Sequence, residues 1–134
     1  MFFPAASVTG LNLEKNGKVL LFLKVVEKMK LTGNQIMYLL TIKKISMNKH
    51  VIRSVDVASQ MDYSRASIHK MLGTLKKMGL IEQEYYSSIK LTSLGSRVAN
   101  GYLKKYDLLA QTLKPVVRLP EGYNLGICNL IELM

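Results

Sequence analysis

The sequence predicts a mainly α-helical fold with one small β-hairpin set near its middle. Three observations carry this reading. Apolar residues return at helical spacing through residues 35–47, 54–61 and 64–78. The pattern then switches to two short apolar runs on either side of Tyr86-Ser87-Ser88. Helical spacing resumes from Leu94 to Leu113 and is stopped by the nearby Pro115.

Taken in order, residues 1–13 read as irregular, with Pro4 and Gly10 among them. The apolar positions of residues 14–29 are nearly continuous, from Val19 to Val26 with only Lys24 between, so helical periodicity is weak and either a short helix or a strand is possible. Thr32-Gly33-Asn34 is a break in which Asn34 is the expected N-cap. A helix from Gln35 to Met47 follows, with Ile36, Leu39, Leu40, Ile42, Ile45 and Met47 on its apolar face. Asn48-Lys49-His50 is a polar turn. Ser54 is then expected to cap a short helix through Met61, whose apolar face is Val55, Val57, Ala58 and Met61. After a tight turn at Asp62-Tyr63, Ser64 caps a longer helix, with Ile68, Met71, Leu72, Leu75 and Met78 facing inward and Gly79 as its stop. Strands are expected over Leu80–Tyr85 and Ile89–Thr92, and Ser93 or Thr92 opens the last long helix.

Composition excludes several classes. The chain has 134 residues, 49% hydrophobic and 21% charged, which fits a folded chain of one domain with an added arm. The apolar run Val19–Leu23 is cut by Lys24 and is far too short for a membrane span, so no membrane partner is expected. Cys128 is the only cysteine and there is no positively charged leader, which places the protein in a reducing cytoplasm. Two histidines, one cysteine and scattered acids form no nucleophile–base pair, phosphate loop or metal-hydrolase spacing, so an enzyme is not expected.

The formal net charge is +10, and it is concentrated. Between Lys43 and Lys105 there are 12 Lys and Arg against four Asp and Glu. A polyanion, double-stranded DNA first, is the partner this implies. Helix, short helix, tight turn, helix, hairpin, helix is the winged helix-turn-helix order. In that order the helix opening at Ser64 presents Ser64, Arg65, Ala66, Ser67, His69 and Lys70 to the major groove, as short, polar or basic side chains. The hairpin tip adds Ser87 and Ser88, followed by Lys90, for contact with the backbone or minor groove. The competing reading is a winged helix that binds protein instead of DNA. It calls for acidic or apolar residues on that outer face, where Arg65, His69 and Lys70 stand.

Several stretches together resemble the diphtheria-toxin-repressor family of iron- and manganese-dependent regulators. They are Met37-Tyr38-Leu39-Leu40-Thr41-Ile42, Arg53 to Ala58, Ser64 to Lys70, Lys77-Met78-Gly79-Leu80-Ile81 and Leu91-Thr92-Ser93-Leu94-Gly95. The resemblance runs from about Gln35 to Leu113. It implies a winged helix-turn-helix with flanking dimerisation helices, a homodimer and a palindromic operator, and hence a sequence-specific repressor. Its domain plan is an N-terminal extension over 1–33, a DNA-binding domain over 34–93, and a dimerisation helix with C-terminal segment over 94–134. Relatives begin close before the Met-Tyr-Leu motif, which makes residues 1–28 additional.

The metal positions that the resemblance supplies are degenerate. Met37 stands where the iron-sensing branch has a methionine ligand, and Cys128 matches the ligand cysteine. The family pattern continues two residues, Glu, His, whereas this chain has Ile131 and Glu132. The ligand histidine of the helix after the wing falls at Tyr106, and the manganese branch's carboxylates fall at Met37 and Leu40. Met37, Cys128 and Glu132 are what remains of an iron or manganese site, and no cofactor is expected.

Overall fold

The computed structural model describes residues 30–84, 88–119 and 122–134. Residues 14–29, read above as helix or strand, lie outside that set. The elements below belong to one unit, Leu31–Met134.

Helix α1 spans Gly33–Asn48. Its N-cap is Thr32, not Asn34. The Thr32 hydroxyl accepts the Gln35 N–H at 3.2 Å, and the Gln35 side-chain oxygen accepts the Thr32 N–H at 3.0 Å. This reciprocal pair satisfies two backbone donors, which a cap at Asn34 does not achieve. The helix is buried nearly all round, from Ile36 through Ile42, instead of along one face. Met47, expected inside, is 66% exposed, because the helix has passed the edge of the core by its last turn. Within the buried stretch, the Thr41 hydroxyl donates to the Met37 carbonyl at 2.7 Å and so is not left unpaired.

Helix α2 spans Ser54–Met61 and is capped at Arg53, not Ser54. The Asp56 carboxylate accepts the Arg53 N–H at 2.9 Å and pairs with the Lys49 ammonium at 2.9 Å. Lys49, and then the Arg53 N–H, hold that carboxyl below the usual carboxylate value. Val57 is fully buried, but Val55 is 54% exposed, contrary to the expected inner face. Two positions along a helix turn a side chain through about 200°, so Val55 and Val57 point to opposite sides.

Asp62 turns the chain in the left-handed region at φ 56°. Ser64 then caps α3, Arg65–Lys77, as the sequence predicts, its oxygen accepting the Ser67 N–H at 3.2 Å. Ile68, Leu72 and Leu75 are buried, and Gly79 ends the segment at φ 78°.

The wing strands are shorter than expected. β1 is Ile81–Glu82 and β2 is Lys90–Leu91, antiparallel, with Ile81 opposite Leu91 and Glu82 opposite Lys90. Ile89 turns away from β1 and donates its N–H to the Ile52 carbonyl at 2.7 Å. The segment before α2 thereby supplies a third, one-residue strand, which a reading of 48–50 as a plain polar turn does not foresee.

Helix α4, Ser93–Leu113, is capped by Thr92, one of the two caps expected. The Thr92 hydroxyl also donates to the Gly79 carbonyl at 2.6 Å, tying the helix start to the end of α3. Gly95 lies directly under the Leu80 carbonyl, where a Cβ has no room. Helix α5, Leu125–Leu133, is capped by Asn124, whose own N–H donates to the Tyr106 hydroxyl of α4 at 2.6 Å. It buries Ile127, Cys128 and Ile131 against α1 and α4. The C-terminal segment is thus a wall of the winged domain's own core. Val98 of α4 is buried inside the same chain.

Candidate nucleic-acid interface

Helix α3 divides into two faces. Ile68, Leu72 and Leu75 fix one side to the core, and each such side chain stabilises the arrangement by about 1.5–3 kcal/mol on burial. That orientation leaves Ser64, Arg65, Ala66, Ser67, His69 and Lys70 all exposed on the other side. The first backbone N–H groups of a helix have no partner within it, so the start of α3 adds donors to this face. The outer side chains supply charge through Arg65 and Lys70, hydroxyl donors through Ser64 and Ser67, and a methyl group through Ala66. This set can hold phosphate oxygens and read base edges.

Val55 belongs to the same surface, although the sequence reading put it in the core. With Ser54 and Ala58 of α2 it lines a cleft of about 210 Å³ against Arg65, Ile68 and His69 of α3. Its exposed methyl groups suit a thymine methyl. The available signal was the spacing from Val57, which cannot share a face with it.

The wing is less basic at its base than its lysine suggests. Lys90 is exposed, but Glu82 stands directly opposite it in the ladder, so the two side chains share a face. Ser88 is half-buried, and Ser87 lies outside the described residues. Behind α3, Lys43 of α1 donates to the Ser96 hydroxyl of α4 at 3.2 Å, which spends one cation on holding the helices together.

The three remnant metal positions do not make a metal site. Cys128 is fully buried, and burial pushes its thiol up to about 11, so giving up the proton to bind a metal costs more there than at an ordinary cysteine. Met37 is buried and offers only a neutral thioether. Glu132 accepts the Gly33 N–H at 2.5 Å, using its carboxylate to hold α5 on the start of α1. Tyr106, in the ligand histidine's place, is engaged with the Asn124 N–H. Among the described residues no three His, Cys, Asp or Glu side chains gather where they can hold an ion.

A short helix, a tight turn and an outward-facing second helix, followed by a hairpin, define a winged helix-turn-helix, the fold of winged-helix transcription regulators. Residues 30–89 match the family model described as "Iron dependent repressor, N-terminal DNA binding domain". Over that stretch the match agrees with the resemblance read from the sequence. Among solved structures, the chain is similar to the reduced form of MarR from E. coli, with 18% identity and a TM-score of 0.53 over 88% of this chain and 85% of that one. It is also similar to a MarR family protein from Bacillus stearothermophilus, with 15% identity and a TM-score of 0.50 over 87% and 86%. At these identities the likeness is one of fold. No curated protein sequence matches. Among the described residues no helix is long and apolar enough to cross a membrane.

Proposed function

We propose that this chain is a sequence-specific DNA-binding repressor that acts as a homodimer in the cytoplasm. The observation that carries the reading is the outer face of α3, on which Ser64, Arg65, Ala66, Ser67, His69 and Lys70 are exposed together while Ile68, Leu72 and Leu75 anchor the helix behind them. In a major groove Arg65 and Lys70 bond guanine or phosphate, the serines bond phosphate oxygens and Ala66 meets a thymine methyl. Ser87, Ser88 and Lys90 of the wing then reach the flanking backbone. Two-fold pairing is supported by the exposed apolar residues Leu108, Val116 and Val117 at the end of α4 and just beyond it, and a dimer doubles the length of DNA read. The test is selection of bound duplexes from a random pool by the purified chain. A palindromic consensus is expected. A folded chain that enriches no sequence and retains no duplex at low salt overturns the reading.

A further inference from the structure

Helix α2 exposes Val55, Ser59 and Gln60, and of these Val55 alone is apolar. It is 54% exposed and lines the cleft of about 210 Å³ between α2 and α3. Val55 and Ala58, three positions apart, share one side of α2. Arg65, Ile68 and His69, at i, i+3 and i+4, share one side of α3. The two rows enclose the cleft. Ile68 is 1% exposed and forms its floor, while Val55, Ala58 and the methylene stem of Arg65 form apolar wall. The volume falls below the range of about 300–1,000 Å³ typical of small-molecule sites. It suits a single apolar group that projects from a larger ligand.

The rim says what that ligand is. Arg65 and His69 are exposed and belong to the outer face of α3, so the cleft opens onto the DNA surface. Among the described residues no carboxylate lines it. Asp56, next to Val55 in the chain, is turned to Lys49 and the Arg53 N–H. A polyanion therefore meets no repulsion at the mouth. On the major-groove edges of the bases, the apolar group is the C5 methyl of thymine. A 5-methylcytosine carries the same methyl on the same ring atom, whereas cytosine and uracil carry hydrogen there. Arg65, on the rim, has the fork that pairs with O6 and N7 of guanine. Successive bases of a strand are about 3.4 Å apart, so a guanine held by Arg65 brings the adjoining base to the cleft.

We propose that the cleft between α2 and α3 is a base-methyl subsite, which takes the C5 methyl of a pyrimidine next to a guanine held by Arg65. The inference rests on the DNA-binding reading above and names what that surface selects. Val55 is the specificity-determining residue, and Ala58 and Ile68 complete its pocket. Thymine and 5-methylcytosine both satisfy the cleft, because the methyl is the same and the change lies in the neighbouring group, an O4 acceptor or an N4 donor. Methylation of a cytosine at this position therefore strengthens binding, and an unmodified cytosine weakens it. A chain built in this way tells methylated from unmethylated copies of one site.

The experiment uses the full chain and the duplex it selects from a random pool, with affinity read by fluorescence anisotropy. The selected sequence should hold a thymine beside a guanine. At that thymine the duplex is remade with deoxyuridine, cytosine or 5-methylcytosine, the opposite base changed to match. Deoxyuridine should weaken binding about fourfold, the worth of one buried methyl, and 5-methylcytosine should bind about fourfold more tightly than cytosine. Val55→Ala changes an exposed position, so it should keep the fold and bring both ratios below about twofold. Ala58→Leu, which fills the cleft, should remove both. Equal affinity for thymine and deoxyuridine in a wild-type chain that binds its operator overturns the subsite and leaves DNA binding standing. Ratios that persist unchanged in Val55→Ala also overturn it, since the methyl then acts through the shape of the DNA. A thymine ratio without a 5-methylcytosine ratio overturns the methylation response alone. A folded chain that retains no duplex overturns the DNA reading and the subsite with it.

Discussion

Glu132 and Gly33 are 99 positions apart, yet the carboxylate of one accepts the backbone N–H of the other at 2.5 Å. The negative charge sits at the positive end of α1, where the helix dipole favours it, and it supplies a partner to a donor the helix cannot satisfy itself. Beside this bond the Asn129 Cα stands 3.1 Å from where a Gly33 Cβ would be, so the absence of a side chain at Gly33 lets α5 close on α1. Glu132→Ala should lower stability by about 1 kcal/mol, the usual cost of losing a cap. Gly33→Ala should cost about 1–3 kcal/mol, because α5 must back away. Urea unfolding checks both. A Gly33→Ala chain that gains stability from alanine's helix preference would refute the close approach.

A stiffer constraint acts at Gly95. There a Cβ meets the Leu80 carbonyl oxygen, a backbone atom already fixed by accepting the Thr92 N–H at 3.1 Å. No side-chain rotation relieves that clash. Gly95→Ala should therefore destabilise by about 1–3 kcal/mol or more and loosen the wing from α4. Hydrogen exchange at Thr92 and Leu80 reads the second effect, and unchanged protection there counts against it.

On the DNA face, Arg65→Ala and Lys70→Ala should each weaken operator binding by about 1–3 kcal/mol while leaving the melting temperature in place. Ile68→Asp, one position away from the exposed set, should unfold the domain. If a dimer neutralises roughly six to ten phosphates, affinity should fall by about 10³–10⁵ between 50 and 200 mM salt. Fluorescence anisotropy with a labelled operator measures these effects. Wild-type binding by both alanine variants would mean that α3 presents a different face.

Alkaline pH should weaken the fold. Burial raises the Cys128 thiol from 9.0 to about 11, and it also raises the hydroxyls of Tyr38, Tyr102, Tyr106 and Tyr123. For each of these groups the folded chain holds its proton more tightly than the unfolded chain. The stabilisation is present in full below the unfolded value and is lost as pH rises toward the folded one. For Cys128 that window is pH 9 to about 11. Urea midpoints taken from pH 8 to 11 should fall through it, and a flat profile contradicts the assignment. The same protonated, buried thiol should resist alkylation in the folded chain and react on unfolding.

Metal should not change DNA binding. The Cys128 thiol is buried and gives up its proton less readily than an ordinary cysteine, the Glu132 carboxylate is committed to Gly33, and Tyr106 is committed to Asn124. Anaerobic titration with manganese or ferrous iron should give no tight isotherm, and a chelator should leave operator affinity as it was. Micromolar binding that strengthens DNA binding overturns this expectation.

What could be read from the sequence was local. The caps at Ser64 and Thr92, the turn at Asp62 and the stop at Gly79 depend on neighbours within a few positions, and each lies where its residue type predicts. The Thr32 cap was also legible, since Thr32 and Gln35 have capping-box spacing. Asn34, being a good cap residue in isolation, drew the assignment instead. Val55 shows the limit of counting apolar residues without tracking their angle. The all-round burial of α1 and the Ile52–Ile89 bridge had no local signal, because the covering residues come from distant segments. Of the site, the outer face of α3 follows from its own periodicity.

The covering of α1 by α5 also sets an order of events during synthesis. The first helix of the winged domain leaves the ribosome long before the segment that closes over it, so the side of α1 that packs against α5 must wait, unsheltered, for residues 125–133. Contacts of such long reach slow folding and lengthen the time in which apolar surface is open to other chains. Nascent chains stalled just after Leu113 are expected to bind a hydrophobic dye and to be cut readily by protease within α1. Chains released in full should do neither, and equal behaviour of the two would show that the winged domain closes without its last helix.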